Sequence, residues 1–255
     1  MLRYERKYLV PNEDLDRLRQ SFKPFVRPDK FGGKTKDGDF GYTVRSIYLD
    51  SDRLDCYFEK IEGLKYRKKL RIRGYDSENE DSIIFLEIKN KLENRIKKNR
   101  ALFRYKDLPA LMVEKDTDKY VMGEAFPKGI EDSKRFFFHL LKRNLKPTVL
   151  IVYDREPYHG IIDSGVRITF DKAIKSRIYP KYNQLFTNEQ LELIKPGYFI
   201  LEIKYFTDLM PRWAKNIVQH YKLRHEALSK YTMGVDKQFR PWMSQNPHFY
   251  ANLNY

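Results

Sequence analysis

The chain holds a single cysteine, Cys56, in 255 residues. A lone thiol excludes an intramolecular disulfide framework and fits a reducing compartment. Histidine is scarce as well. His139, His159, His220, His225 and His248 show none of the pairings typical of zinc sites. No apolar run approaches the length that spans a bilayer. The opening Met1–Glu5 passes straight into a charged, strand-like pattern with no apolar signal core. No signal peptide is therefore expected, and the protein is expected to be soluble and cytoplasmic. A phosphate-cradling glycine loop is also missing. Gly32-Gly33-Lys34-Thr35 looks like the end of one, but Pro28 stands where its first glycine belongs, and no strand leads in. Nothing resembles a nucleophile elbow.

What is plentiful is positive charge. Lys and Arg number 50 against 35 Asp and Glu, a formal net charge of +15. That balance favours anionic partners: nucleic acid, an acidic membrane surface or phosphate compounds. No low-complexity linker interrupts the chain, so residues 1–255 are expected to form one domain.

Periodicity predicts strands at Tyr4–Val10, Thr43–Asp50, Ile83–Lys91, Arg95–Phe103, Thr148–Tyr153, Val166–Phe170 and Tyr198–Phe206. One or two more are expected over Tyr57–Arg73, meeting at Glu62-Gly63. Helices are expected at Asn12–Phe22, Leu108–Lys115, Ser133–Asn144, Pro211–Leu223 and His225–Val235. Lys30–Gly41, rich in Gly, Lys and Asp, reads as a loop. The tail, Phe239–Tyr255, is aromatic and polar without clear period. Strands before and after a helical insertion suggest an α+β fold, a meandering antiparallel β-barrel with helices packed outside.

The strands carry an unusual cargo. From Lys69 to Tyr75 cation and aliphatic alternate, so Lys69, Arg71 and Arg73 share one face while Leu70 and Ile72 share the other. Lys98 and Arg100 sit together on a later strand, as do Tyr153 and Arg155, and Arg167 lies between apolar neighbours. Strands that each turn cations inward would build a basic cavity, tolerable only with a polyanion to fill it. There is also an internal echo. Phe85-Leu86-Glu87-Ile88-Lys89 recurs as Ile200-Leu201-Glu202-Ile203-Lys204, and in each copy Glu and Lys point to one face. Glu87 is expected to orient a cation by charge pairing. Such parts suit phosphate chains: Arg gives bidentate bonds, Lys gives point charge, and carboxylates hold Mg²⁺ or Mn²⁺. Phosphoryl transfer asks for little beyond positioning and charge stabilisation.

Taken in order, Glu5-Arg6-Lys7-Tyr8-Leu9-Val10, Ile47-Tyr48-Leu49-Asp50, Leu70-Arg71-Ile72-Arg73-Gly74-Tyr75 and Leu86-Glu87-Ile88-Lys89 are followed by the strand ending at Arg100. Tyr153-Asp154-Arg155, Gly165-Val166-Arg167-Ile168, Leu201-Glu202-Ile203-Lys204 and Ser229-Lys230-Tyr231 complete the series. The series resembles the polyphosphate polymerase (VTC) domain family, within the triphosphate tunnel metalloenzymes. The resemblance implies a tunnel-shaped barrel in which the γ-phosphate of ATP passes to the end of a polyphosphate chain. It implies that Lys7, Arg71, Arg73, Lys89, Lys98, Arg155, Arg167 and Lys230 bind the triphosphate or the growing chain. Lys7, Arg71, Arg73, Lys89, Arg155 and Arg167 would be the catalytic set among them. Tyr153 would add a hydroxyl, and Glu202 would hold Mn²⁺ or Mg²⁺. Lys98 is preferred to Lys97 by parity with Arg100. The early pair of glutamates usual in tunnel metalloenzymes is reduced here to Glu5. Partners implied are ATP and inorganic polyphosphate, with room for a membrane-protein partner and no nucleic acid expected. Two alternatives stay open: a metal-dependent triphosphatase of the same fold, or a non-catalytic polyphosphate-binding module.

Overall fold

The computed structural model describes residues 4–34, 40–76, 82–92, 95–124, 126–163 and 165–245. Part of the expected Lys30–Gly41 loop and the tail beyond 245 lie outside the described residues. In chain order the elements are β1 (Tyr4–Pro11), α1 (Leu15–Phe22), β2 (Val26–Pro28), β3 (Gly33–Lys34), β4 (Phe40–Asp50), α2 (Asp55–Ile61), β5 (Tyr66–Tyr75), β6 (Ile83–Leu92) and β7 (Arg95–Arg104). Then come α3 (Leu108–Glu114), α4 (Thr117–Tyr120), α5 (Gly129–Lys142), β8 (Lys146–Gly160), β9 (Arg167–Ile178), β10 (Glu192–Leu193), β11 (Tyr198–Tyr205), α6 (Arg212–His220) and α7 (Lys230–Gln245).

The expected closed barrel is corrected: the sheet is antiparallel but open. Its path is β1-β11-β9-β8-β4-β5-β6-β7, and among the described residues no pairing joins β7 back to β1. The edge groups are engaged by other parts of the chain, a common way of protecting a sheet edge. On β7, the carbonyl of Leu102 accepts from Met122 N (2.9 Å) and the amide of Arg100 donates to Asp132 Oδ2 (2.9 Å). On β1, the carbonyl of Lys7 accepts from Glu226 N (3.0 Å), and Tyr8 bridges to His225.

The chain divides into two compact units. The first comprises Met1–Thr43, Tyr153–Ile174 and Lys195–Ser229. Here β1 pairs with β11 and β11 with β9, placing Tyr8, Val10, Ile168, Phe170, Leu201 and Ile203 in one core. The Leu15/Leu18/Phe22 stripe of α1 closes over it. Trp213 of α6 stacks on Phe25 at 4.9 Å.

The second unit comprises Val44–Val152, Lys175–Ile194 and Lys230–Tyr255. Its β4-β5-β6-β7 meander buries Leu70, Ile72, Ile84, Leu86, Ile88 and Phe103 on one face. Each such side chain contributes about 1.5–3 kcal/mol. Phe136, Phe137 and Leu140 of α5 are buried as well, and α5 packs against β6 and β7. Two expected elements differ. Residues 55–61 are helical, because the buried Asp50 carboxylate accepts the amides of Cys56 (2.8 Å) and Tyr57 (3.0 Å) and so satisfies a helix start. The last helix begins at Lys230 and not at His225. In the first unit, residues 225 and 226 spend their backbone on β1.

Candidate functional site

The polar face of the second unit is arranged in rows across its strands. Register places Lys69, Lys89 and Lys98 side by side, then Arg71, Glu87 and Arg100, then Arg73, Phe85 and Leu102. Tyr48 and Ser46 of β4 extend the last two rows. Among the described residues, the β5, β6 and β7 members of these rows bring six cations to one carboxylate. Like charges placed directly opposite destabilise a sheet, so the lysine row is costly unless an anion joins it. Lys98 shares this face and Lys97, opposite Asn90, does not.

Glu87 is the hub of the middle row. Arg71 Nε donates to Glu87 Oε2 at 2.6 Å, Arg100 Nε donates to Oε1 at 2.8 Å, and Arg73 Nε lies 3.8 Å away. Burial pushes the Glu87 carboxyl up, but Arg71, Arg73 and Arg100 outweigh it and hold the group well below the usual range. Arg71 also donates to Tyr48 Oη (2.9 Å), and Arg73 to Ser46 Oγ (3.2 Å). Burial raises the Tyr48 phenol; Arg71 and Arg73 reverse that and leave it lowered. Lys69 lies over the Tyr231 ring at 4.6 Å. Burial, then Lys89 and Arg67, hold its ammonium well below the ordinary lysine value. Lys230 opens α7 immediately before that tyrosine.

In the first unit, β1 and β11 set Lys7 opposite Glu202 and Glu5 opposite Lys204. Glu202 Oε1 lies 2.6 Å from Lys204 Nζ, and Lys7 Nζ lies 2.9 Å from Glu5 Oε1. Arg155 is clamped on Asp171 by Nε (2.7 Å) and Nη2 (2.8 Å), and the same Nη2 reaches Glu202 Oε2 at 3.4 Å. Burial works against the guanidinium, yet Asp171 raises it well above its ordinary value. Tyr153 lies beneath it, with its ring 5.3 Å away. Arg167 sits on β9 with Nη2 on Asp29 (2.9 Å) and Tyr42 Oη (3.1 Å). Burial raises the Glu202 carboxyl, but Lys204, Glu5 and Lys7 together bring it well below the usual range. Lys204 itself is brought down to about 8 by burial, which Glu202 and Glu5 only partly offset.

The expected site residues thus fall into two groups. Arg71, Arg73, Lys89 and Lys98 share one face of the second unit, which also holds Lys230. Lys7, Tyr153, Arg155, Arg167 and Glu202 belong to the first. Sequence reasoning passed over Lys204 as a ligand group although the internal echo had put it on the face of Glu202. It passed over Asp171 and Asp29, whose partners are far apart in sequence and leave no local signal.

The VTC domain model matches residues 2–239. This chain belongs to the VTC domain family. Subunit 4 of the vacuolar transporter chaperone complex of Schizosaccharomyces pombe is 24% identical over 248 residues, covering 83% of this chain and 34% of the relative. The VTC domain here therefore spans about a third of that relative's length. Among solved structures, PH1819 from Pyrococcus horikoshii OT3 aligns over 92% of this chain and 99% of its own, at TM-score 0.46 and 17% identity. The putative adenylyl cyclase HpAC1 from Hippeastrum, described as having a dominant triphosphatase activity, aligns over 91% and 93% at TM-score 0.47 and 13% identity. Among the described residues of this VTC domain, no helix is long and apolar enough to cross a membrane.

Proposed function

We propose that this VTC domain, acting as one domain over residues 1–255, is a metal-dependent, ATP-dependent polyphosphate polymerase. The observation that carries the reading is the excess of cations on the β5-β6-β7 face, six against the single carboxylate of Glu87. Charge of one sign collected on one face, from buried Arg71 and Arg73 to exposed Lys98, calls for a multivalent anion. Arg71, Arg73, Lys89, Lys98 and Lys230 bind phosphoryl oxygens in the second unit. Lys7, Arg155 and Arg167, with the Tyr153 hydroxyl, do so in the first. The two carboxylate bonds of Arg155 use Nε and Nη2 and fix the guanidinium plane, so Nη1 is left to donate. In the reaction a terminal oxygen of polyphosphate attacks the γ-phosphorus of ATP. The bond from that phosphorus to the β–γ bridging oxygen breaks, and ADP leaves. No protein nucleophile is needed.

Glu202 is the residue proposed to hold Mn²⁺ or Mg²⁺. Among the described residues no three His, Cys, Asp or Glu side chains are grouped to cage a metal. Glu202, with Glu5 beside it, would share the ion with the substrate's phosphates once its oxygens exchange Lys204 and Arg155 for the metal. Such an ion would neutralise phosphoryl charge.

The test is an incubation of the purified protein with ATP and Mn²⁺, following polyphosphate, ADP and free phosphate together. Polyphosphate with matching ADP is expected. Free phosphate without polyphosphate overturns the proposal in favour of a triphosphatase, and saturable binding without turnover leaves a binding module.

A further inference from the structure

Buried polar side-chain atoms nearly always have a hydrogen-bond partner, so an exception calls for an explanation. Thr169 is 1% exposed, and its Oγ1 bonds nothing among the described residues. Two positions earlier, on the same face of β9, the buried Nε of Arg167 is likewise without a partner. The far end of that guanidinium is not loose, since Asp29 and Tyr42 hold Nη2. Register sets the two orphans against the charged residues of β11, Thr169 opposite Glu202 and Arg167 opposite Lys204.

The chemistry of the two groups narrows what completes them. An arginine Nε–H donates and never accepts, so no metal ion satisfies it. A threonine hydroxyl donates or accepts. A single ligand atom that serves both must therefore accept two hydrogen bonds, as a phosphoryl oxygen can and as an ammonium or a metal ion cannot. We propose that Thr169 Oγ1 and Arg167 Nε form a two-point subsite for one phosphoryl oxygen of a phosphate chain. This rests on the reading that the domain binds polyphosphate, and it adds Thr169 to the binding residues. It also separates the oxyanion contact on β9 from the carboxylate of Glu202, whose proposed partner is a cation.

Thr169→Val is nearly isosteric and removes a hydroxyl that has no partner, so folding and thermal midpoint are expected to be kept or raised. Calorimetric titration with inorganic tripolyphosphate in buffer containing EDTA reads the contact without metal or turnover. Thr169→Val should bind about tenfold more weakly than the parent, the loss of one hydrogen bond to a charged acceptor. Thr169→Ser, which keeps the hydroxyl, should bind like the parent, and Mn²⁺ titrated without phosphate should bind both valine variant and parent alike. Unchanged tripolyphosphate affinity in Thr169→Val overturns the subsite, because the hydroxyl then makes no contact with the phosphate chain. Loss of Mn²⁺ binding in place of tripolyphosphate binding overturns the oxyanion assignment. A parent that shows the hydroxyl-dependent binding yet makes no polyphosphate from ATP sinks the polymerase reading alone.

Discussion

Glu87 faces three arginines with one carboxylate. Glu87→Gln should cost about 3–5 kcal/mol in denaturant titration, because removing one partner leaves buried charge uncompensated. Saturating tripolyphosphate should recover part of the loss by taking the carboxylate's place beside Arg71 and Arg100. The pH dependence follows from the lowered carboxyl. The stability it contributes is complete above the unfolded glutamate value, about 4.3, and is lost as pH falls through the lower folded value. Lys204 runs the other way. Its folded value is about 8 against 10.5 for a free lysine, so between those limits the unfolded chain holds more protons. Stability from this group therefore rises as pH climbs from about 8 to 10.5. An amine titration of Lys204 by NMR should show a midpoint near 8. Glu202→Gln should move it lower still, since the carboxylate raises the amine. If Glu202 served the metal alone, Glu202→Gln would stop metal-dependent turnover with folding nearly intact. The contacts to Lys204 and Arg155 revise that: turnover and stability should fall together, so both must be measured.

At the level of elements, Asp50 and Gly41 carry the placement of strands and helices. The Asp50 carboxylate accepts from the amides of Ser51, Cys56 and Tyr57 and from Tyr231 Oη, joining the start of α2 to the start of α7. Asp50→Ala leaves three amides and a buried phenol without an acceptor. Hydrogen exchange should quicken in residues 55–61 and 230–236 before the rest of the unit. Tyr57 Oη to Asp236 Oδ1 (2.5 Å) is the second tie and should keep α7 from leaving altogether. Gly41 has φ +147°, and a β-carbon there would lie 2.3 Å from the carbonyl oxygen of Arg155. Gly41→Ala should destabilise by about 1–3 kcal/mol. It should also weaken tripolyphosphate binding through Arg155, which a purely local strain would not do; calorimetry on the folded variant checks this.

Over the whole molecule the formal net charge of +15 acts as a long-range field for polyanions. Tripolyphosphate at a hundred times its dissociation constant should stabilise the fold by about 2.7 kcal/mol if it binds only the native state. Raising salt should shrink the thermal shift by screening the exposed members of the face, Lys98 foremost, more than buried Arg71 and Arg73. A shift that ignores ionic strength would contradict a site built on charge.

Alternation along a strand is local, and so the antiparallel sheet, the shared face of Lys69, Arg71 and Arg73, and the pairing of Lys98 with Arg100 could be read from the residues alone. The ordered motifs likewise carried the VTC resemblance before any fold was known. Other features depend on which strand lies beside which. The helix at 55–61 exists because Asp50, outside it, satisfies its first amides, and residues 225 and 226 stay outside the last helix with their backbone bonded to β1. Among the described residues, the edge groups of Lys7, Arg100 and Leu102 meet loops and side chains and not another strand. Only register decided that Arg71 and Arg100 converge on Glu87, that Arg155 is held by Asp171, and that Thr169 is buried opposite Glu202 with no hydrogen-bond partner among the described residues. Whether a cation is neutralised at home or left to meet a ligand depends on neighbours brought together across long sequence separations, and no period within a strand records them.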